Sequence, residues 1–117
     1  MASTFAPSAV ALALDAITVD RVSLHSGDPG TTGANYITAA GRQPATFNAA
    51  SGGERVLSAD VNFSGMTGGQ AVTHWGAWLN AGTVFRCGNV VTGDQTANAA
   101  GEYTLKGTTT KITGAAV

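Results

Sequence analysis

At 117 residues the chain has the length of one domain built around one core. Only 11% of its residues are charged, well under the quarter common in soluble domains, while glycine alone numbers 16. The net charge is −1 and the six basic residues are scattered, which argues against nucleic-acid binding. A single cysteine, Cys87, leaves no intrachain disulfide framework. So little charge implies a surface that lies against other protein, the alternative being a secreted β protein with a neutral, Thr-rich exterior.

Ala6-Pro7-Ser8 followed by an Ala/Leu run predicts a helix over 7–16, with Pro in the first turn and strong helix formers after it. Val10, Leu14 and Ile17 form one stripe, and Leu12 with Phe5 another, so the helix has little polar face. It is expected to be buried on most sides, across a sheet or between subunits. The same run does not read as a secretion signal, because no Lys or Arg precedes Arg21 and two aspartates follow, and it is too short to span a bilayer. The organisation is one domain over 1–117, with an N-terminal arm and helix at 1–19 and a β-sandwich from 20 to 117.

Beyond Thr18 the pattern is strand and turn. Strands are predicted over 21–25, 45–48, 55–58, 61–64, 71–79, 83–91, 103–106 and 108–112, to make at least half of the chain β-structure. Turn signals separate them, among them Ser51-Gly52-Gly53, Gly65-Met66-Thr67-Gly68-Gly69, Asn80-Ala81-Gly82 and Thr92-Gly93-Asp94. In the first strand Val22 and Leu24 point one way while Arg21, Ser23 and His25 point the other. Asp28-Pro29-Gly30 then makes a tight turn. In 71–79, Trp75, Ala77 and Leu79 share one face and Val72, His74, Gly76 and Trp78 the other, which marks a strand covered twice. Trp75 is expected in the core with Leu24 or Phe47 beside it, and the second face under the helix, a long loop or a neighbouring subunit. Asn80-Ala81-Gly82 links this strand to the next as a short hairpin. The fold class is mainly β: a jelly-roll-like antiparallel β-sandwich with one short N-terminal helix.

Chemistry is sparse. Ser23, His25 and Asp28 are the residue types of a nucleophilic triad, but no nucleophile elbow surrounds the serine and the aspartate is better used holding its own turn. Two histidines and one cysteine fall short of a structural zinc set. Gly27 to Gly33 lacks the Lys-Ser/Thr of a phosphate loop, and Asp28 with Asp94 lacks calcium-loop spacing. Cys87 reads as a small buried residue rather than a reactive thiol. No catalytic residue, cofactor or metal is assigned. Trp75, Trp78 and Tyr36 are the aromatics that a sugar-binding surface would use, Tyr36 the best placed of them.

The run from Val22 to Asn35 (V-S-L-H-S-G-D-P-G-T-T-G-A-N), with Gln43-Pro44-Ala45-Thr46-Phe47, Ala49-Ala50-Ser51-Gly52-Gly53 and Thr73-His74-Trp75-Gly76-Ala77-Trp78, resembles a family of small bacteriophage virion proteins usually labelled tail fibre or minor tail protein. The resemblance covers roughly residues 20–81 in the same order. The chain departs from the family's pattern at Tyr36, where an acidic residue is usual, and at Ala40-Gly41, where an aromatic precedes the Arg-Gln pair. The resemblance implies a non-enzymatic virion structural protein, synthesised in the host cytoplasm and assembled in many copies on other virion proteins of the tail. Capsid decoration on the major capsid protein is the alternative, and a carbohydrate-binding receptor module on a host surface glycan a third. A homo-oligomer is expected, a trimer by analogy with phage particles, with neither nucleic acid nor membrane as partner. The expected interface is Val10, Leu14, Asp28, Pro29, Thr31, Thr32, Asn35 and Tyr36. Loop 26–35, poor in apolar groups, is expected to be ordered by another chain.

Overall fold

A computed structural model describes residues 6–113. The chain begins with helix α1 (Pro7–Asp15) and continues through eight strands: β1 (Arg21–His25), β2 (Gln43–Pro44), β3 (Glu54–Val56), β4 (Val61–Phe63), β5 (His74–Leu79), β6 (Val84–Val90), β7 (Tyr103–Leu105) and β8 (Lys111–Thr113). A short 3₁₀ turn at Thr38–Ala40 precedes β2. One sheet has the order β2-β1-β5-β6, and β3-β8 and β4-β7 pair separately, all antiparallel.

The pairs β3·β8, β4·β7 and β5·β6 are nested. Between them the two arms stay joined by Leu57 N–H to Thr110 O, Met66 N–H to Gly101 O, Val72 N–H to Gln95 O and the Ala71–Thr96 bridge. Residues 54–113 are therefore one long antiparallel ribbon, rolled so that its ends and its middle close over a shared core in the jelly-roll manner. Its apex is the predicted hairpin turn, where Asn80, Ala81 and Gly82 have φ of 55°, 56° and 93°. Positive φ at consecutive turn residues matches the strand twist, and Ala81, which has a Cβ to accommodate there, is fixed by donating its N–H to Asp20 Oδ2 at 3.2 Å.

Alternation in β1 and β5 divides their sheet into two faces. Register pairs Val22 with Ala77 and Leu24 with Trp75, and all four are buried in the core. Trp75 is 2% exposed and stacks on Phe47 with ring centroids 5.8 Å apart. Leu57, Phe63, Val72, Leu105 and Ile112 from the rolled ribbon complete this layer.

Several boundaries differ from expectation. Strand makes up 35%, not half, because the ribbon often turns on glycine and its arms then meet through single bonds rather than ladders. Residues 45–48 are not a strand: Ala45 bonds to Asp20 beside β1, whereas Asn48 bonds to Val56 in β3, so this stretch carries the chain from one sheet to the other. Pro44, lacking an N–H, ends β2 after two residues. The strand over 71–79 begins only at His74, and a register shift opposite Ala77/Trp78 leaves Arg86 of β6 unpaired.

The helix is not buried on most sides. Val10 and Leu14 are buried, but Leu12 is 74% exposed and Ala9, Ala13 and Ala16 face solvent. A helix made of Ala and Leu all round gives no polar stripe from which to read its inner face, and here contact with β3 chooses it. Phe5, expected to extend the Leu12 stripe, lies outside the described residues. Arg55 of β3 fastens the helix exit, donating from Nη1 to Ile17 O at 2.8 Å with Nε 3.8 Å from Asp15.

Candidate functional site

The face of the β1-β5-β6 sheet opposite the core carries Ser23, His25, Gly76, Trp78 and Phe85, and loop 26–35 lies over it. Trp78 and Phe85 are register partners meeting edge to face at 5.1 Å. Gly33 sits on the Trp78 ring so closely that a Cβ there would stand 2.6 Å from Cη2, and a Cβ on Gly88 would stand 2.5 Å from Pro29. The second apolar face of β5 is thus covered by a long loop of the same chain.

A chain of buried polar groups fastens that loop. Ser23 and His25 are both 0% exposed. The Trp78 indole N–H donates to Ser23 Oγ at 2.7 Å, Ser23 Oγ is 2.7 Å from His25 Nε2, and His25 Nδ1 is 2.7 Å from Ala34 O. The tautomer follows from the partners: a carbonyl oxygen only accepts, so Nδ1 carries the hydrogen, and Nε2 accepts the Ser23 hydroxyl. Burial holds the His25 imidazole below its ordinary range. The Ala34 carbonyl pulls upward, and the charges of His74 and Arg42 add to the lowering. Gly76 makes room for this chain, since a Cβ there would lie 2.7 Å from His25 Nε2 and 3.0 Å from Ser23 Oγ.

Beside it, the Arg42 guanidinium lies over both rings of the tilted Tyr36–Trp78 pair, 4.3 Å from the Tyr36 centroid and 4.2 Å from that of Trp78. Its stem crosses Gly82 at the hairpin apex, and its buried Nε has no hydrogen-bond acceptor among the described residues. Elsewhere a polar cleft of about 760 Å³ opens beside β4 and β7, lined in part by Asn62, Asp94, Glu102 and Lys106. Tyr103 donates its hydroxyl to Asp94 O at 2.5 Å, and burial, helped by the Asp94 charge, pushes that phenol up to about 12.

The residues expected at an interface are scattered in role. Val10 and Leu14 are in the core, 9% and 3% exposed, and have little area left to lose. Asp28 is exposed and accepts the Gly30 N–H at 2.8 Å, holding its own turn as its sequence context predicts. Pro29 is buried against Gly88, correcting its placement on a surface. Thr31, Thr32 and Asn35 are exposed, and the Asn35 amide donates back to Asp28 O at 3.0 Å. Tyr36 is half-buried among His25, Trp78 and Arg42. Loop 26–35 is ordered by its own chain, correcting the expectation that another chain orders it. Its hydrogen bonds to itself and its glycine contacts with Trp78 replace the apolar side chains that it lacks.

Sequence reasoning missed Arg42 and the joint role of Ser23, His25 and Trp78. The shared face of Ser23 and His25 was a usable signal; the Ala34 carbonyl, a backbone group, left none. His25 and His74 are register partners, but His74 Nδ1 bonds Thr73 Oγ1 at 2.9 Å, and no group of three or more potential metal ligands occurs among the described residues. Compared with family models, curated proteins and solved structures, the chain gives no match.

Proposed function

We propose that this chain is a non-enzymatic structural protein of a bacteriophage virion, a tail-associated component of the minor tail or tail-fibre kind, present in many copies and docked on other virion proteins through a neutral surface. The observation that carries the assembly reading is the outward face of α1, where Leu12 is 74% exposed among Ala9, Ala13 and Ala16 and no charged side chain precedes Asp15. Burial of such a face against another copy removes apolar area from water at no cost in buried charge. The resemblance over 20–81 supports the virion setting. Its separate motifs meet in space, since the 22–35 run and the Trp75–Trp78 segment together build the covered sheet face, a use that fits a structural part.

A closed trimer is the proposed assembly, with α1 at the contact between copies. Val10 and Leu14 anchor the helix to its own core while Leu12 and its alanines meet the neighbour. The aromatic platform of the carbohydrate reading receives no support, because Trp75 and Trp78 are 2% and 6% exposed and Tyr36, the best placed, is half-buried with Arg42 stacked on its ring.

Sedimentation of the purified chain tests the proposal together with a particle map. The wild type is expected to associate and Leu12→Glu to sediment as a folded monomer. A wild type that stays monomeric, in a particle where no copy touches another, overturns the oligomer. A map that places the chain on the head rather than the tail selects capsid decoration.

A further inference from the structure

Loop 26–35 rests on the sheet through a few close contacts, Gly33 on Trp78 and Pro29 on Gly88. Pro29 and Gly33 are its only buried residues, and several of its hydrogen bonds are internal, such as Gly33 and Ala34 N–H to Pro29 O at 2.9 Å. The base of the loop is closed on β1 by Ser26 N–H to Asn35 O, Ile37 N–H to Leu24 O and the His25–Tyr36 bridge; the side-chain tie to the buried sheet face is the bond between Ala34 O and His25 Nδ1, backed by Ser23 and Trp78.

Protonation leaves the Nδ1–H bond to Ala34 O in place and is favoured by it; what opposes the charge is burial under the loop and the accepting role of the other ring nitrogen. A proton added at Nε2 would set an N–H against the Ser23 O–H across 2.7 Å. The hydroxyl would have to turn away from the ring while its oxygen still receives the Trp78 N–H. The new charge would be fully buried, beside His74 on β5 and Arg42 ahead of β2. Tyr36 and Phe85 are the other rings facing it, and none of the charges acting on it is a carboxylate. The opposite face of the same sheet does not depend on this group: Val22, Leu24, Trp75 and Ala77 pack on Phe47 and the rolled ribbon.

We propose that the Trp78–Ser23–His25–Ala34 chain is an acid-sensitive latch, closed while His25 is neutral and opened by its protonation, so that loop 26–35 lifts from the β1-β5-β6 face while the sandwich core stays folded. A freed His25 takes up its proton near the ordinary value of 6.5, whereas the latched one resists it. The latch is therefore at full strength above that value and weakens as the pH falls below it, by up to about tenfold per pH unit until the latched imidazole itself titrates.

Amide and indole hydrogen exchange on the full chain between pH 7.5 and 5, corrected for the intrinsic rate, tests this. The Trp78 indole N–H, bonded to Ser23 Oγ beneath the loop, is expected to lose protection by tenfold or more, while the amides of Leu24 and Ala77 keep theirs. Histidine ¹⁵N shifts are expected to report the Nδ1–H tautomer of His25 at pH 7.5, with its loss coinciding with loop opening. His74→Gln should leave the transition in place. Indole protection that persists to pH 5, indole and core amide protection lost together, or a transition that disappears in His74→Gln would each overturn the latch.

Discussion

Ser23 Oγ stands 2.7 Å from His25 Nε2, two residues along the same strand, and receives the Trp78 indole N–H at the same distance. One hydroxyl thus satisfies a buried donor and a buried acceptor. Ser23→Ala leaves both without a partner, and each such group costs about 1–3 kcal/mol. A loss of roughly 2–6 kcal/mol in denaturant unfolding is expected. A loss below about 1 kcal/mol, the net worth of an ordinary hydrogen bond, would mean that water takes the hydroxyl's place.

Trp75 and Phe47 form the centre of the opposite face. Trp75→Ala removes the largest fully buried side chain and is expected to cost about 3–5 kcal/mol, a large part of the ~5–15 kcal/mol that holds a domain folded. Because the two rings stack on each other, the Phe47→Ala and Trp75→Ala losses should not add in the double variant. Additive losses in urea melts would show that the contact contributes nothing beyond burial.

Cys87 shares the core face with its register partner Ala77. Burial pushes its thiol from 9.0 up to about 11, so at pH 8 the folded chain holds about a hundredfold less thiolate than the unfolded chain. Iodoacetamide should alkylate the native protein at least that much more slowly than the urea-unfolded one. The sign for stability follows: this contribution is intact below pH 9 and is lost as the pH rises from 9 toward 11. Equal labelling rates would place the thiol in solvent.

Alternation made β1 and β5 legible, because a period of two fixes which side chains share a face whatever lies above them. The hairpin apex was legible from Asn80-Ala81-Gly82 for a similar local reason. What escaped depends on distant backbone. The path of 45–48 is set by Asp20 on one side and Val56 on the other, neither of which its own sequence announces. The Ala/Leu helix carried too uniform a surface to show that Leu12 points outward. Loop 26–35 is poor in apolar groups, and its sequence gives no sign that a glycine can itself be a packing contact. In the fold, Gly33 is the contact, since its lack of a side chain admits the Trp78 ring.

That inversion gives a sharp comparison between two glycines of one loop. Gly30 and Gly33 both have positive φ, 59° and 80°, so Ala at either position pays for left-handed backbone, about 1 kcal/mol. Nothing lies within 4 Å of a Cβ at Gly30, whereas one at Gly33 would stand 2.6 Å from Trp78 Cη2 and 3.2 Å from Phe85 Cδ1. The indole cannot easily yield, because Ser23 holds its N–H and Arg42 and Phe85 pack on its ring. Gly30→Ala should therefore cost about 1 kcal/mol, while Gly33→Ala adds an overpacking term of about 1–3 kcal/mol and reaches roughly 2–4 kcal/mol. Trp78 fluorescence should change in the second variant and stay as it is in the first. Equal losses, with no change in fluorescence, would mean that the loop does not rest on the sheet.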